Sequence, residues 1–265
     1  MKLAFSTLGV PALPIEQVVG LASDHGFHGV ELRASPEGPV HTGLLAGERA
    51  RIVEQFAQAE VEVLTVAAYA KVAAPGEDGP VLDEIAAAVT LASDLGAPYV
   101  RVFPGGGGIA TEEADALATR RLAAAAPVAE DHGVRVLLET HDSHRGGADV
   151  ARVLGRVGHL GVGAIWDVMH TWLAGEQPST TYPALAPYLG YVQVKDIASA
   201  ADTTPLPLGK GVLPLAETVE VLSRADWDGW LCWEYEKRWY PEAAELAGLL
   251  GQAQQHLSRL LADSA

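Results

Sequence analysis

Four short apolar runs in the C-terminal half of the chain end in groups that can hold cations or move protons. They are Arg135-Val136-Leu137-Leu138-Glu139-Thr140-His141, Val162-Gly163-Ala164-Ile165-Trp166-Asp167, Tyr191-Val192-Gln193-Val194-Lys195-Asp196 and Trp230-Leu231-Cys232-Trp233-Glu234-Tyr235-Glu236. Each reads as a buried strand with a carboxylate, amide or amine at its C-terminal end, and four such ends imply one site. Strand side chains alternate, so His141 shares a face with Glu139, Lys195 with Gln193, and Glu236 with Glu234. The carboxylates of Glu139, Asp167 and Glu234, converging in a low-dielectric mouth, cannot all be ionised without a counter-charge. One divalent cation held by these three and the Gln193 amide resolves the conflict most simply. A mostly oxygen shell favours Mg²⁺ or Mn²⁺ over Zn²⁺.

Glu139 and Glu234 lie on different strands and can flank a substrate from two sides. A metal that polarises a carbonyl and its adjacent hydroxyl, with one carboxylate on each side, is equipment for removing and returning a proton α to a carbonyl. That is an enediolate route to aldose–ketose isomerisation or epimerisation, with Lys195 or the metal stabilising the developing oxyanion. His141 suits a substrate hydroxyl, the surroundings of the metal, or a supporting hydrogen bond. His170, three residues after Asp167, suits substrate contact. Arg101 stands out in an apolar strand and suits a substrate carboxylate or phosphate, or an ion pair with an acid such as Glu31. Lys237 and Arg238 suit one anionic group or nearby surface acids. His144 and Arg145 fall in a loop that either lines the mouth or is simply exposed, and Gly105 to Gly108 read as a turn rather than a phosphate loop, lacking the Lys-Ser/Thr of a P-loop.

Positioning such a set requires a regular scaffold. Strand patterns fall at residues 3–9, 29–33, 61–68, 99–103, 135–140, 162–167, 191–195 and 230–235. Helical patterns fall at 15–25, 44–59, 80–95, 111–132, 148–157, 183–189, 213–224 and 242–261, with Thr111 as an expected N-cap. Eight strands each followed by a helix predict a (β/α)8 TIM barrel formed by residues 1–265 as one domain. The strands are nearly continuously apolar, as expected when both faces are buried.

The chain has 265 residues, 49% of them hydrophobic, enough for one sizeable core. A formal net charge of −16 argues against nucleic acid and against an anionic membrane surface. No apolar run approaches the roughly 18 residues of a membrane span. The lone cysteine, Cys232, permits no intrachain disulfide and fits a reducing, cytoplasmic setting. A homodimer is compatible with the Leu-rich last helix, and the expected partner is a small carbohydrate substrate.

The pieces Gly29-Val30-Glu31-Leu32-Arg33, Leu138-Glu139-Thr140-His141, Trp166-Asp167-Val168-Met169-His170, Val192-Gln193-Val194-Lys195-Asp196, Pro207-Leu208-Gly209-Lys210-Gly211 and Trp233-Glu234-Tyr235-Glu236-Lys237-Arg238-Trp239 follow one another in a telling order. With them the chain resembles the xylose isomerase-like barrel superfamily, in its sugar phosphate isomerase/epimerase branch. The resemblance implies that Glu139, Asp167, Gln193 and Glu234 are the metal ligands, that Glu139 and Glu234 are the acid/base pair, and that His170 sits at the substrate. It also marks a departure, because the family usually has histidine where this chain has Gln193, an amide that ligates more weakly and carries no proton. Two other functions remain open on the same scaffold. One is β-elimination or cleavage of a 3-keto-glycoside, as in related dehydratases. The other is a sugar-binding or partner subunit whose metal centre has been lost.

Overall fold

The computed structural model describes residues 1–264 and has the expected architecture. Eight parallel strands close into a barrel: β1 (Lys2–Ser6), β2 (Gly29–Arg33), β3 (Glu62–Lys71), β4 (Tyr99–Phe103), β5 (Arg135–Glu139), β6 (Val162–Asp167), β7 (Leu189–Val194) and, after a small hairpin of β8 (Ile197–Ser199) and β9 (Asp202–Pro205), β10 (Trp230–Trp233). Neighbours in sequence are neighbours in the sheet, and β1 pairs with β10 to close the ring, Lys2 opposite Trp230. Around it run α1 (Ile15–Asp24), α2 (Ala46–Gln58), α3 (Asp78–Leu95), α4 (Thr111–Asp131), α5 (Gly147–Val157), α6 (Val168–Leu173), α7 (Pro178–Leu185), α8 (Leu215–Arg224) and α9 (Leu250–Asp263). Among the described residues no helix is long and apolar enough to cross a membrane.

The barrel has two cores with different jobs. Outward-facing strand residues, Val136, Leu138, Trp166, Val192 and Trp233 among them, pack against the helices in the main core. Inside the barrel a small plug of Ala4, Leu64, Leu137, Ile165, Tyr191 and Cys232 fills the lower layer. Two residues further along four of these strands, on the same inward face, come Glu139, Asp167, Gln193 and Glu234, all buried. The period of two thus carries each strand from an apolar layer into a polar one, and the register aligns Asp167 with Gln193 across β6 and β7. Trp166 and Trp233 are thereby barrel–helix packing residues, facing away from the polar layer.

Several boundaries differ from the sequence patterns for local physical reasons. Thr111 is the first residue of α4 rather than its cap; Ala110 holds the cap position, with no side-chain bond. The pattern at 183–189 belongs to an earlier helix, α7, which has Pro178 in its first turn, where a missing N–H costs nothing. The last helix begins at Leu250, because residues 234–249 form a loop and a 3₁₀ turn at Leu246–Gly248. The β8–β9 hairpin has no strong alternation to reveal it. Asp196 organises that region, since its carboxylate accepts from the N–H groups of Ile197 (3.1 Å), Gly211 (2.8 Å) and Leu213 (3.2 Å). A Cβ on Gly211 would lie 2.2 Å from the Asp196 Oδ1, so the close approach requires glycine.

Candidate active site at the barrel mouth

The polar layer at the C-terminal ends of the strands is dense with charge. Lys195, 3% exposed, stands at its centre. Its Nζ lies 2.8 Å from Asp167 Oδ2 and 2.8 Å from Glu236 Oε1, and it also contacts Glu234 Oε2. Burial alone would lower the Lys195 pKa, but Asp167, Glu234 and Glu236 outweigh it and hold the ammonium form far above the ordinary range. Arg101 is the second buried cation. Its Nη1 lies 3.2 Å from Glu139 Oε2 and 3.5 Å from Glu234 Oε1, and its Nη2 donates to Ala68 O at 3.3 Å. The guanidinium sits 4.1 Å from the Phe103 ring centre.

Gln193 presents its amide nitrogen to two acids, donating to Glu31 Oε2 and Glu234 Oε1, each at 3.1 Å. Its oxygen is buried without a partner. Glu31 also accepts from the Tyr191 hydroxyl at 2.5 Å, and burial together with the nearby Glu234 charge raises its pKa. Asp167 uses Oδ1 as the N-cap of α6, accepting from Met169 N (2.8 Å) and His170 N (3.2 Å). The four expected ligands therefore do not surround one open centre. Asp167, Gln193 and Glu234 are knitted around Lys195 and Glu31, and the ammonium lies between the carboxylates.

A second cluster lies beside the first. Among the described residues, Glu139, His141 and His170 bring one carboxylate oxygen and two imidazole nitrogens within 4.8 Å of one another. The imidazole rings lie 4.0 Å apart between centres, and Phe103 packs on His141 at 4.6 Å. Burial pushes the His170 pKa well below its ordinary value, so the ring is neutral, and its Nδ1 is buried with no partner. His141 Nδ1 lies 2.9 Å from Asp142 Oδ1. Burial works to lower the His141 pKa, but Asp142 and the Glu139 charge outweigh it and raise it. Asp142 thus stands beside that ring as the kind of carboxylate neighbour that metal-binding histidines commonly have. Burial pushes Glu139 up to about 8. A neutral imidazole, an orphaned ring nitrogen and a carboxyl destabilised as an anion are together the donor chemistry that fits a divalent ion. With two nitrogens in the set, the preference moves from Mg²⁺ toward Zn²⁺ and other transition ions.

The remaining expected contacts are distributed unevenly. Arg101, Lys195, His141 and His170 are in the polar layer. Lys237 and Arg238 are not. Lys237 Nζ donates to Pro241 O (2.6 Å) and Ala243 O (2.5 Å) and pairs with Glu245 (2.8 Å), so it ties down its own loop. Arg238 reaches Glu37 at 3.3 Å and stacks on Trp239. His144 is buried between Ser143 and Asp115 rather than facing the mouth. Sequence reasoning assigned no role to Asp142, Tyr191 or Glu236. Glu31 had a signal, as the one acid inside Gly29-Val30-Glu31-Leu32, and Asp142 had none, because its part follows from a backbone φ of 44° in a tight turn.

Among proteins of known structure, similar folds are common. The IOLI protein solved with a binding zinc atom superposes with a TM-score of 0.85 at 18% identity, covering 100% of this chain and 99% of that one. The probable 3-DHS dehydratase AsbF from Bacillus anthracis gives 0.83 at 19% identity over 97% and 99% of the two chains. D-psicose 3-epimerase from Clostridium cellulolyticum, solved with D-tagatose, gives 0.82 at 15% identity over 98% and 99%. At these identities the likeness is one of fold. None of the curated proteins matches the chain in sequence. The family described as xylose isomerase-like TIM barrel, however, matches residues 19–260. Because that match runs through nearly the whole barrel, the chain belongs to the xylose isomerase-like TIM barrel family.

Proposed function

We propose that the protein is a divalent-metal-dependent isomerase or epimerase acting on a monosaccharide or keto-polyol by proton transfer beside a carbonyl. The observation that carries the reading is the convergence of Glu139, His141 and His170 within 4.8 Å, next to a buried carboxylate–cation network. In this reading Glu139, His141 and His170 hold the metal, in place of the all-oxygen set that the residue types suggest. When bound, such an ion supplies Lewis-acid polarisation of a carbonyl and its neighbouring hydroxyl.

The chain's own residues supply the rest. Glu234 and Glu139 are the proton carriers, just past the end of β10 and at the end of β5. Glu234 is held in place by Lys195, Gln193 and Arg101, so its position is fixed before substrate arrives. Arg101, whose buried Nε has no partner, is a permanent hydrogen-bond donor in a dry site, suited to charge that develops on a substrate oxygen, and Lys195 adds a fixed positive charge while it holds the carboxylates. The rings of Phe103, His141 and His170 exclude water around that oxygen.

Deuterium exchange tests the reading. Protein loaded with Zn²⁺ or Mn²⁺ and incubated in ²H₂O with a panel of ketoses and keto-polyols should incorporate deuterium at the carbon beside the carbonyl, and Glu234→Gln should abolish it. Protein that retains metal yet exchanges no proton with any member of the panel would overturn the proposal. Release of water during exchange would instead favour β-elimination, which begins with the same proton abstraction and is the reaction named for the dehydratase of similar fold.

A further inference from the structure

Beside the metal cluster lies a polar cavity of about 320 Å³, lined by Lys71, Gly105, Gly107, Asp142, Ser143 and Arg145. That volume is at the small end of ligand pockets, about 300–1,000 Å³. Lys71 ends β3, the glycines follow β4, and Asp142 to Arg145 follow β5, so three adjacent strands deliver its lining to the functional end of the barrel. The cavity also touches the site directly, because Asp142 is the residue that bonds His141.

Its cations are unusual for this chain. Of eighteen Lys and Arg side chains in a protein of net charge −16, only Arg51, Lys71, Arg145 and Lys210 lack a hydrogen-bond or ion-pair partner among the described residues. Two of those four line this one cavity. The backbone adds donors, since the N–H groups of Gly105, Gly107 and Gly108 have no acceptor among the described residues. Gly105 and Gly107 have φ of 65° and 59°, the left-handed conformation in which successive N–H groups turn toward a common point. A Cβ at Gly105 would fall 2.6 Å from Lys71 Cγ, so glycine there is what lets the lysine stem lie across the loop.

The assembly is braced from beneath. Gly106 N donates to Ser143 Oγ (3.0 Å), Ser143 meets His144 Nδ1 (2.9 Å), and His144 Nε2 meets Asp115 Oδ1 (3.1 Å). Arg152 and Arg156 hold Asp115 in turn. That chain fixes the turn in which Asp142 adopts its positive φ, a strained backbone of the kind that collects at functional sites.

We infer that this cavity binds an oxyanion, the phosphoryl or carboxylate group at the end of the substrate remote from the reacting carbon. Lys71 and Arg145 are its cations, and the Gly105 and Gly107 N–H groups are its fixed donors. Asp142 opposes the anion, but one of its oxygens is committed to His141, and the cavity keeps a net positive charge. The inference rests on the barrel mouth being the substrate site and narrows the substrate to an acidic sugar or polyol.

Calorimetric titration of the full-length, metal-free protein with inorganic phosphate, and separately with acetate, tests it. Saturable one-site binding of either anion is expected, and the stronger of the two identifies the group. Lys71→Met combined with Arg145→Met should weaken that binding at least tenfold, whereas Arg51→Met with Lys210→Met should leave it unchanged. All four positions are exposed, so these variants should fold with wild-type melting temperatures. No binding of either anion, or equal binding by the two double variants, would overturn the inference. Zinc retention on the same preparations keeps the two readings apart: loss of anion binding with zinc retained refutes the cavity alone, and anion binding without zinc refutes the metal reading alone.

Discussion

On one side of the barrel mouth Lys195 is ringed by Asp167, Glu234 and Glu236; on the other, Lys71 and Arg145 line a cavity with Asp142 but form no ion pair. The two sides use the same residue types and differ in burial. A buried ammonium is tolerable only when neighbouring carboxylates compensate its desolvation, so Lys195 is fully committed within the protein. An exposed cation needs no such compensation, and one left uncommitted inside a polar cavity is available to something that arrives from solution. The Glu139–His141–His170 cluster sits between these regimes, with Glu139 and His170 buried like the first, His141 half-buried, and the His170 Nδ1 unsatisfied like the second.

The largest expected effect breaks the committed side. Lys195→Met leaves Asp167 and Glu234 buried around an apolar side chain, and removing one partner of a buried ion pair costs about 3–5 kcal/mol. Urea unfolding in chelator should show a loss of that size, while Lys71→Met should stay within about 0.5 kcal/mol of wild type. Equal losses would erase the contrast.

Next comes the metal. Zn²⁺ at a hundredfold excess over its Kd should stabilise the chelated protein by about 2.7 kcal/mol. His170→Ala should abolish that gain and Gln193→Leu should preserve it, read by thermal melts with and without zinc. The reverse pattern would restore the oxygen-ligand set and remove the histidine cluster.

How far the primary structure shows these differences varies with the physics of each. The barrel was legible, because eight apolar strands and their helices carry strong period-two and period-3.6 patterns, and the same period placed Glu139, Asp167, Gln193 and Glu234 in one layer. Which of them would be free to bind an ion was not legible. That depends on Lys195 reaching three carboxylates at or beyond the ends of other strands and on Gln193 turning its nitrogen toward Glu31 and Glu234, and spacing along a strand is silent on both. His144 shows the same limit: a loop histidine near two glycines reads as lining the mouth or as exposed, yet it is buried against Asp115, from the distant helix α4. The Gly105–Gly108 run reads as a plain turn until Lys71 and Arg145 are seen to flank it.

A pH-dependent effect follows from Glu139 in the metal-free protein. Its folded pKa is pushed up to about 8 from an ordinary 4.5, chiefly by burial. Between those values the folded protein keeps a proton that the unfolded chain releases. This contribution to stability is therefore fully present below pH 4.5, is lost as pH rises through about 8, and is flat above it. The slope is at most about 1.4 kcal/mol per pH unit. Glu139→Gln should flatten it, as urea midpoints from pH 5 to 9 would show, and parallel slopes would remove the case for a destabilised anion. Because a metal must displace that proton, zinc affinity should also tighten over the same range.

The smallest effect concerns the cations that look right in the sequence and are placed elsewhere by the fold. Lys237 resembles Lys71 in type and in standing near the C-terminal end of a barrel strand, but its amine already serves Pro241 O, Ala243 O and Glu245. Lys237→Met should therefore cost about 1–2 kcal/mol in loop anchoring and leave phosphate and acetate binding at wild-type strength. Arg238→Met, which removes only an exposed contact with Glu37 and stacking on Trp239, should change neither anion binding nor stability by a measurable amount. Paired with Lys71→Met these variants separate position from commitment. If charge near the mouth were all that mattered, Lys237→Met would weaken anion binding as Lys71→Met does; if an uncommitted donor is required, only Lys71→Met will.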